Sequence, residues 1–187
     1  MTLFARVRLR AVCLHLRDIL RSGLNAQITQ AIAESPSSAP ATDLAAIADT
    51  TAQIVFGDDT DYEPLVYPSI RVATPVVAYR PLGSASATSA ELSFVVAIYT
   101  EQVASSGQCV DDTIITLTET TLDLVECVRA TVERDYPSML YGSQILATQA
   151  TPVDAPQDPE SPCVLRQKYE LNFTASTRLR QSRGATT

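Results

Sequence analysis

Apolar positions recur every three or four residues along three stretches of the chain, and four others carry strand patterning. In the first 34 residues, Leu9, Val12, Leu16, Ile19 and Leu20 form one stripe. At about 100° per residue, Arg6, Arg10, Arg17 and Arg21 fall on a separate arc of roughly 60°. This predicts an amphipathic helix, continued past Gly23 by Leu24, Ile28 and Ile32. The stretch SPSSAPAT breaks it with turn formers. Residues 43–55 repeat the pattern through Leu44, Ile47, Thr51, Ile54 and Val55, a short second helix capped by Thr42 or Asp43. The clearest helix is 109–137, with Ile114, Leu117, Thr121, Val125, Val128 and Val132 on one face. Asp111 and Asp112 suit its positive end, Arg134 suits its negative end, and Pro137 closes it. Its threonines lower intrinsic propensity, so packing must hold it.

Period-two patterning marks the strands. SIRVATPVVAYR (69–80) and ELSFVVAIYTE (91–101) are rich in β-branched and aromatic residues. In the second, Leu92, Phe94, Val96 and Ile98 share a face. Pro75 cannot donate to a ladder and predicts an edge or a bulge in the first. Residues 143–153 form a third strand. In 163–176, Leu165, Tyr169, Leu171 and Phe173 alternate with Arg166, Lys168, Glu170 and Asn172, giving one buried and one wet face. The predicted order is α(α)ββαββ: an α+β fold in which a mainly antiparallel four-stranded sheet carries its helices on one face. One domain spans 1–175 with long loops at 34–42, 81–90 and 151–162, and 176–187 forms a basic C-terminal tail.

The first residues raise a question of compartment. A secretory signal needs an unbroken apolar core, but His15, Arg17, Asp18 and Arg21 interrupt this one. The Arg-rich, acid-poor start shares the composition of a transit peptide, yet the leucine stripe favours a retained surface helix. No apolar run approaches the roughly 18 residues of a membrane span. Cys13, Cys109, Cys127 and Cys163 are scattered with no CxxC pair, the usage of reduced thiols in a cytosolic setting.

Charge is segregated along the chain. Of the 14 basic residues, five lie at 6–21 and five at 166–183, and all but Lys168 are arginines. Between Ser22 and Leu165 the sequence has four arginines against nineteen acids, within a net charge of −7. A chain this acidic is not a nucleic-acid grip, although an acidic surface lets DNA pass without holding it. Basic ends can meet an acidic middle between subunits, which makes Arg6, Arg10, Arg17, Arg21, Arg178 and Arg180 candidate interface residues. Their counterparts are Asp58, Asp59 and Asp61 in the acidic loop GDDTDYEP. That loop offers carboxylate oxygens but lacks the central glycine and terminal glutamate of an EF-hand, so the expectation is a solvated loop and no bound metal. His15 stands alone, and no GxSxG, HExxH or GxxxxGK[ST] occurs. The expectation is no catalytic residue, no cofactor and no enzyme activity.

YPSIRV, ELSFVVAIYTEQ and VDDTIITLTETTLDLVECVRATV, in that order after the helix LHLRDILRSGLNAQI, resemble the neck and tail-completion proteins of tailed bacteriophages, the tail-terminator group in particular. The residues carrying the likeness are Pro68, Ile70 and Val72 in a P-x-I-x-V strand and Leu122 to Glu126 in an LdLvE-type helix segment. It spans roughly residues 10–175 and departs from the family pattern at 34–56 and 151–162. The resemblance implies a structural virion protein, assembled in the host cytoplasm as a homo-oligomeric ring, usually of six. Such a ring caps the tail tube, docks the head–neck connector and surrounds passing DNA without sequence-specific binding or membrane contact. The implied partners are the tail tube protein and the neck or connector protein, with a sheath as a further candidate. Two other readings stand beside it: another connector or baseplate ring protein of a phage-like machine, and a ligand-binding module or enzyme whose site is not legible.

Overall fold

The computed structural model describes residues 9–35, 44–57, 66–81, 87–104, 110–136, 144–153 and 163–180. The alternation around Phe94 becomes the central strand β4 (Ala87–Val103), which pairs antiparallel with β6 (Val164–Arg180) over seventeen residues. Their even and odd positions sort cleanly. Leu92, Phe94, Val96 and Ile98 of β4 point to the same face as Leu171, Phe173 and Ala175 of β6, and all seven are buried. The Phe94 ring stacks on Phe173 at 5.0 Å and lies 5.3 Å from the Tyr136 ring.

Two long helices close this face. α1 (Leu9–Glu34) contributes Val12, Leu16, Leu20, Leu24 and Ile28 to the core, and α3 (Val110–Asp135) contributes Leu124, Val125, Val128 and Val132. The threonines of α3 do not break it, because Thr121 and Thr131 donate their hydroxyls back to the carbonyls of Leu117 and Cys127, a local pairing that satisfies a buried hydroxyl within the helix. Thr121 also meets Thr100 of β4 at 2.6 Å, joining helix to sheet. α1 and α3 approach closely at Gly23. A Cβ there would lie 3.1 Å from each of Thr131 Cγ2, Arg134 Nη2 and Asp135 Oδ2.

The sheet has six strands where the sequence predicts four. Its order is β1-β2-β4-β6-β5, with β3 also paired to β4, and only the β1–β2 pair is parallel. The extra strands come from two corrections. Residues 43–55 do not form one helix: α2 is a single turn, Thr50–Gln53, followed at once by β1 (Ile54–Phe56). Asp49, not Thr42 or Asp43, caps that turn, accepting from the amides of Thr51 and Ala52. The buried Gln53 side chain then binds the Pro68 carbonyl, which sets Ile54 beside Ile70. Residues 69–80 divide into β2 (Ser69–Val72) and β3 (Val76–Pro81), both on β4. One extra residue intervenes at the buried Pro75, as expected where proline interrupts a ladder.

Other boundaries move as well. β3 ends at Pro81 and β4 begins at Ala87, so paired strand occupies much of the expected 81–90 loop. β6 runs to Arg180, into the segment read as a tail. The rest of that tail, and most of the 34–42 and 151–162 segments, lie outside the described residues. Ile32 and Ile114, expected on buried stripes, are 43% and 40% exposed. Last, β5 (Gln144–Val153) forms the edge beyond β6, with a bulge between Ile145 and Ala147.

The close approach at Gly23 predicts that Gly23→Val costs about 1–3 kcal/mol through overpacking, read as a lower midpoint in urea unfolding. Two buried groups predict alkaline sensitivity. Burial, with Asp123 and Glu126 adding to it, pushes the Cys127 thiol up to about 11 from 9.0. Burial alone pushes the Tyr136 phenol up to about 12 from 10.0, and that hydroxyl has no partner among the described residues. Both groups hold their protons more tightly folded than unfolded. Stability is therefore complete below pH 9 and falls as pH rises through 12. Tyr136→Phe should keep or raise neutral-pH stability by about 1 kcal/mol, since it removes an unsatisfied hydroxyl. It should also lose less stability between pH 10 and 12 than the parent, measured by denaturation at fixed pH.

Candidate functional site

The surface opposite the helices is built by the odd positions of β4 and the even positions of β6. Ser69 and Arg71 of β2, Ala97 and Tyr99 of β4 and Lys168 of β6 are all buried there. This corrects the expectation of a wet face at Lys168. The ammonium group of Lys168 lies 2.8 Å from Glu170 and 5.5 Å from the centre of the Tyr99 ring. Burial alone would lower its pKa, but the hydrogen bond and charge of Glu170, with Tyr99, outweigh that and leave it raised. Beside it Arg166 pairs with Glu101 at 2.8 Å and stacks 5.6 Å above the Tyr67 ring.

A cavity of about 340 Å³ opens where the 44–46 segment meets the end of β4 and the first half of α3. Leu44, Tyr67, Leu117 and Leu124 give it an apolar lining, and Thr100 and Glu101 give it polar groups. Its carboxylate is already engaged by Arg166, so the arrangement suits an apolar side chain better than a charged ligand. A second groove, about 280 Å³, runs between α1 and α3 past Gln27, Asp123 and Arg129. Burial and then Glu119 raise the Asp123 pKa, while Arg129 bridges Glu126 and Glu133 at 2.6 and 2.7 Å. No group of three or more His, Cys, Asp or Glu side chains is placed to hold a metal among the described residues. His15 is exposed on α1.

Of the candidate interface residues, the side chains of Arg17 and Arg21 lie within the described set. Arg21 donates to the carbonyls of Ile54 and Thr51 at 2.8–3.0 Å, so it clamps α1 onto its own β1 and α2. Arg17 pairs with its neighbour Asp18 at 2.8 Å. Arg10 lies in α1 and Arg178 and Arg180 lie in β6, their side chains outside the described set. Arg6, Asp58, Asp59 and Asp61 lie outside the described residues. The structure instead exposes apolar side chains that the sequence reading passed over. Ile115 and Leu122 on α3 are 56% and 42% exposed, and Val76 and Tyr79 on β3 are 70% and 49% exposed. A signal existed for the first pair: seven apart, they fall about 140–180° from the Leu117–Leu124 stripe.

No protein-family model matches the chain, and no curated protein matches it in sequence. Among solved structures, it is similar to a chain from the virion of a native gene transfer agent particle. The identity is 17% and the TM-score 0.39, over 86% of this chain and 97% of that one. No helix among the described residues is long and apolar enough to cross a membrane.

The Lys168–Glu170 pair predicts an asymmetry. Removing the acid strands a buried cation, whereas replacing the cation by an apolar side chain of similar volume does not. Glu170→Ala should therefore cost about 1–3 kcal/mol and more than Lys168→Met, compared by urea denaturation.

Proposed function

We propose that the chain is a structural protein of a tailed-phage-type particle. In this reading it is a ring-forming tail terminator that caps the tail tube and joins it to the head–neck connector. The observation that supports the reading is the exposure of apolar side chains on unlike surfaces, Ile115 with Leu122 on α3 and Val76 and Tyr79 on opposite faces of β3. Contact between unlike surfaces of successive copies is heterologous, and it closes into a ring when the rotation permits. Six subunits is the number the sequence resemblance implies. The tail tube protein and the connector would dock on the two ends of the ring, with a sheath outside it in contractile tails. The net charge of −7 suits a wall past which DNA slides without being gripped. The cavity beside Leu44 has no catalytic role in this reading.

Imaging of assembled particles tests the proposal. Subunits are expected in a closed ring where tail meets head. Single copies would overturn the ring, and a ring at the far end of the tail would favour a baseplate component. Replacing Ile115 and Leu122 together by Glu should leave the fold intact by circular dichroism. Incorporation into particles should fall at least tenfold, equivalent to about 1.4 kcal/mol of contact.

A further inference from the structure

β5 is ten residues long and holds no buried side chain. It also carries no charged residue. One edge bonds to β6, and among the described residues nothing pairs with the other. α3 reaches it chiefly through the 2.8 Å hydrogen bond from Thr148 to Glu133. Its Leu146 is 56% exposed. Natural edge strands are blunted by charges, prolines and bulges, because a bare edge is a template for another strand. In β5 the bulge at Leu146 and the missing amide of Pro152 bracket an unblunted window, Ala147–Thr151.

The opposite side of the sheet offers a matching window. β3 is bracketed by Pro75 and Pro81, which leaves Val76–Arg80 with every amide intact, and no partner but β4 among the described residues. Both windows are five residues long. Their faces also match. Gln149, at the centre of one, faces away from the helices beside Asn172, and Ala78, at the centre of the other, does the same beside Glu91. Paired centre to centre, the windows continue each face across the junction. Thr148 and Ala150 then meet Val77 and Tyr79 on the helix side. A one-residue slip would reverse this.

We infer that the β5 edge of one copy receives the β3 edge of a second copy by strand addition, so that the sheet runs on from subunit to subunit. The second copy is the occupant because its β3 has the length, the face parity and the near-absence of charge that β5 presents. This inference rests on the ring reading and names its contact.

Cysteine pairing tests it. In a Cys109→Ser, Cys163→Ser background, Gln149→Cys with Ala78→Cys places the two thiols opposite each other across the junction. Directly opposed Cβ atoms lie about 4.5–5.5 Å apart, close enough for a disulfide after small shifts. Mild oxidation should give a ladder of dimers, trimers and larger species on a non-reducing gel. Either single cysteine alone should give none. Gln149→Lys, and separately Thr151→Lys, should lower the oligomer fraction at least tenfold in sedimentation while leaving the circular dichroism spectrum unchanged. A dimer from Gln149→Cys alone would overturn the inference in favour of β5–β5 pairing. A wild type that forms rings, with a double-cysteine variant that yields no ladder and lysine variants that still assemble, would overturn it while leaving the ring reading standing. A wild-type chain that is monomeric in solution and in particles would overturn both.

Discussion

The pairing of β4 with β6 places every other contact. It runs unbroken from Ala87 opposite Arg180 to Val103 opposite Val164. Because side chains alternate strictly, a one-residue slip would drive Phe94 and Phe173 to opposite faces and turn one strand's buried set, four residues of β4 or three of β6, away from the helices. The stacked Phe94 and Phe173 rings, with Tyr136 closing over them, resist that slip. β2 and β3 then take their places on one side of this pair and β5 takes its place on the other.

The helix layer follows from the same face, and its width explains what stays open. A helix with its side chains is about 10 Å across, and strands sit about 4.8 Å apart. Two helices therefore cover about four strands. α1 packs toward β1 and β2 and α3 toward β4 and β6, and the α1–α3 contact at Gly23 draws them together. β5 and the outer side of β3 fall beyond that cover. Their exposure is the geometric remainder of a two-helix layer on a six-stranded sheet.

The elements legible in the sequence are those whose periodicity coincides with a buried face. The leucines of α1, the even positions of β4 and the Leu124–Val132 stretch of α3 each face the core, so pattern and burial agree. The reading fails where a side chain acts through one specific partner. Ile54 and Val55 fit a helical phase as well as a strand. Asp49 ends the ambiguity by capping a single turn, and Gln53 by binding Pro68 from a segment fifteen residues away. Lys168 reads as solvent-facing because it alternates with Leu171 and Phe173, yet Tyr99 and Glu170 make its burial tolerable. The exposed pair on α3 is not legible in the buried stripe, because Ile115 and Leu122 lie outside it.

Among the described residues, the charged side chains are largely paired within the chain. Arg166 of β6 meets Glu101 of β4, and Lys168 meets Glu170 two residues along the same strand. On the helices, Arg17 binds Asp18, Arg134 binds Asp135, and Arg129 holds Glu126 and Glu133. Arg21 serves the backbone of its own chain. Exposed ion pairs contribute only about 0–1 kcal/mol each, and arginines already satisfied within the subunit gain little more from a neighbour. Charge can therefore set which copies approach and in what register. The cohesion of any assembly has to come from groups the single chain leaves unsatisfied. Among the described residues these include the backbone edges of β3 and β5 and the exposed apolar side chains of β3 and α3.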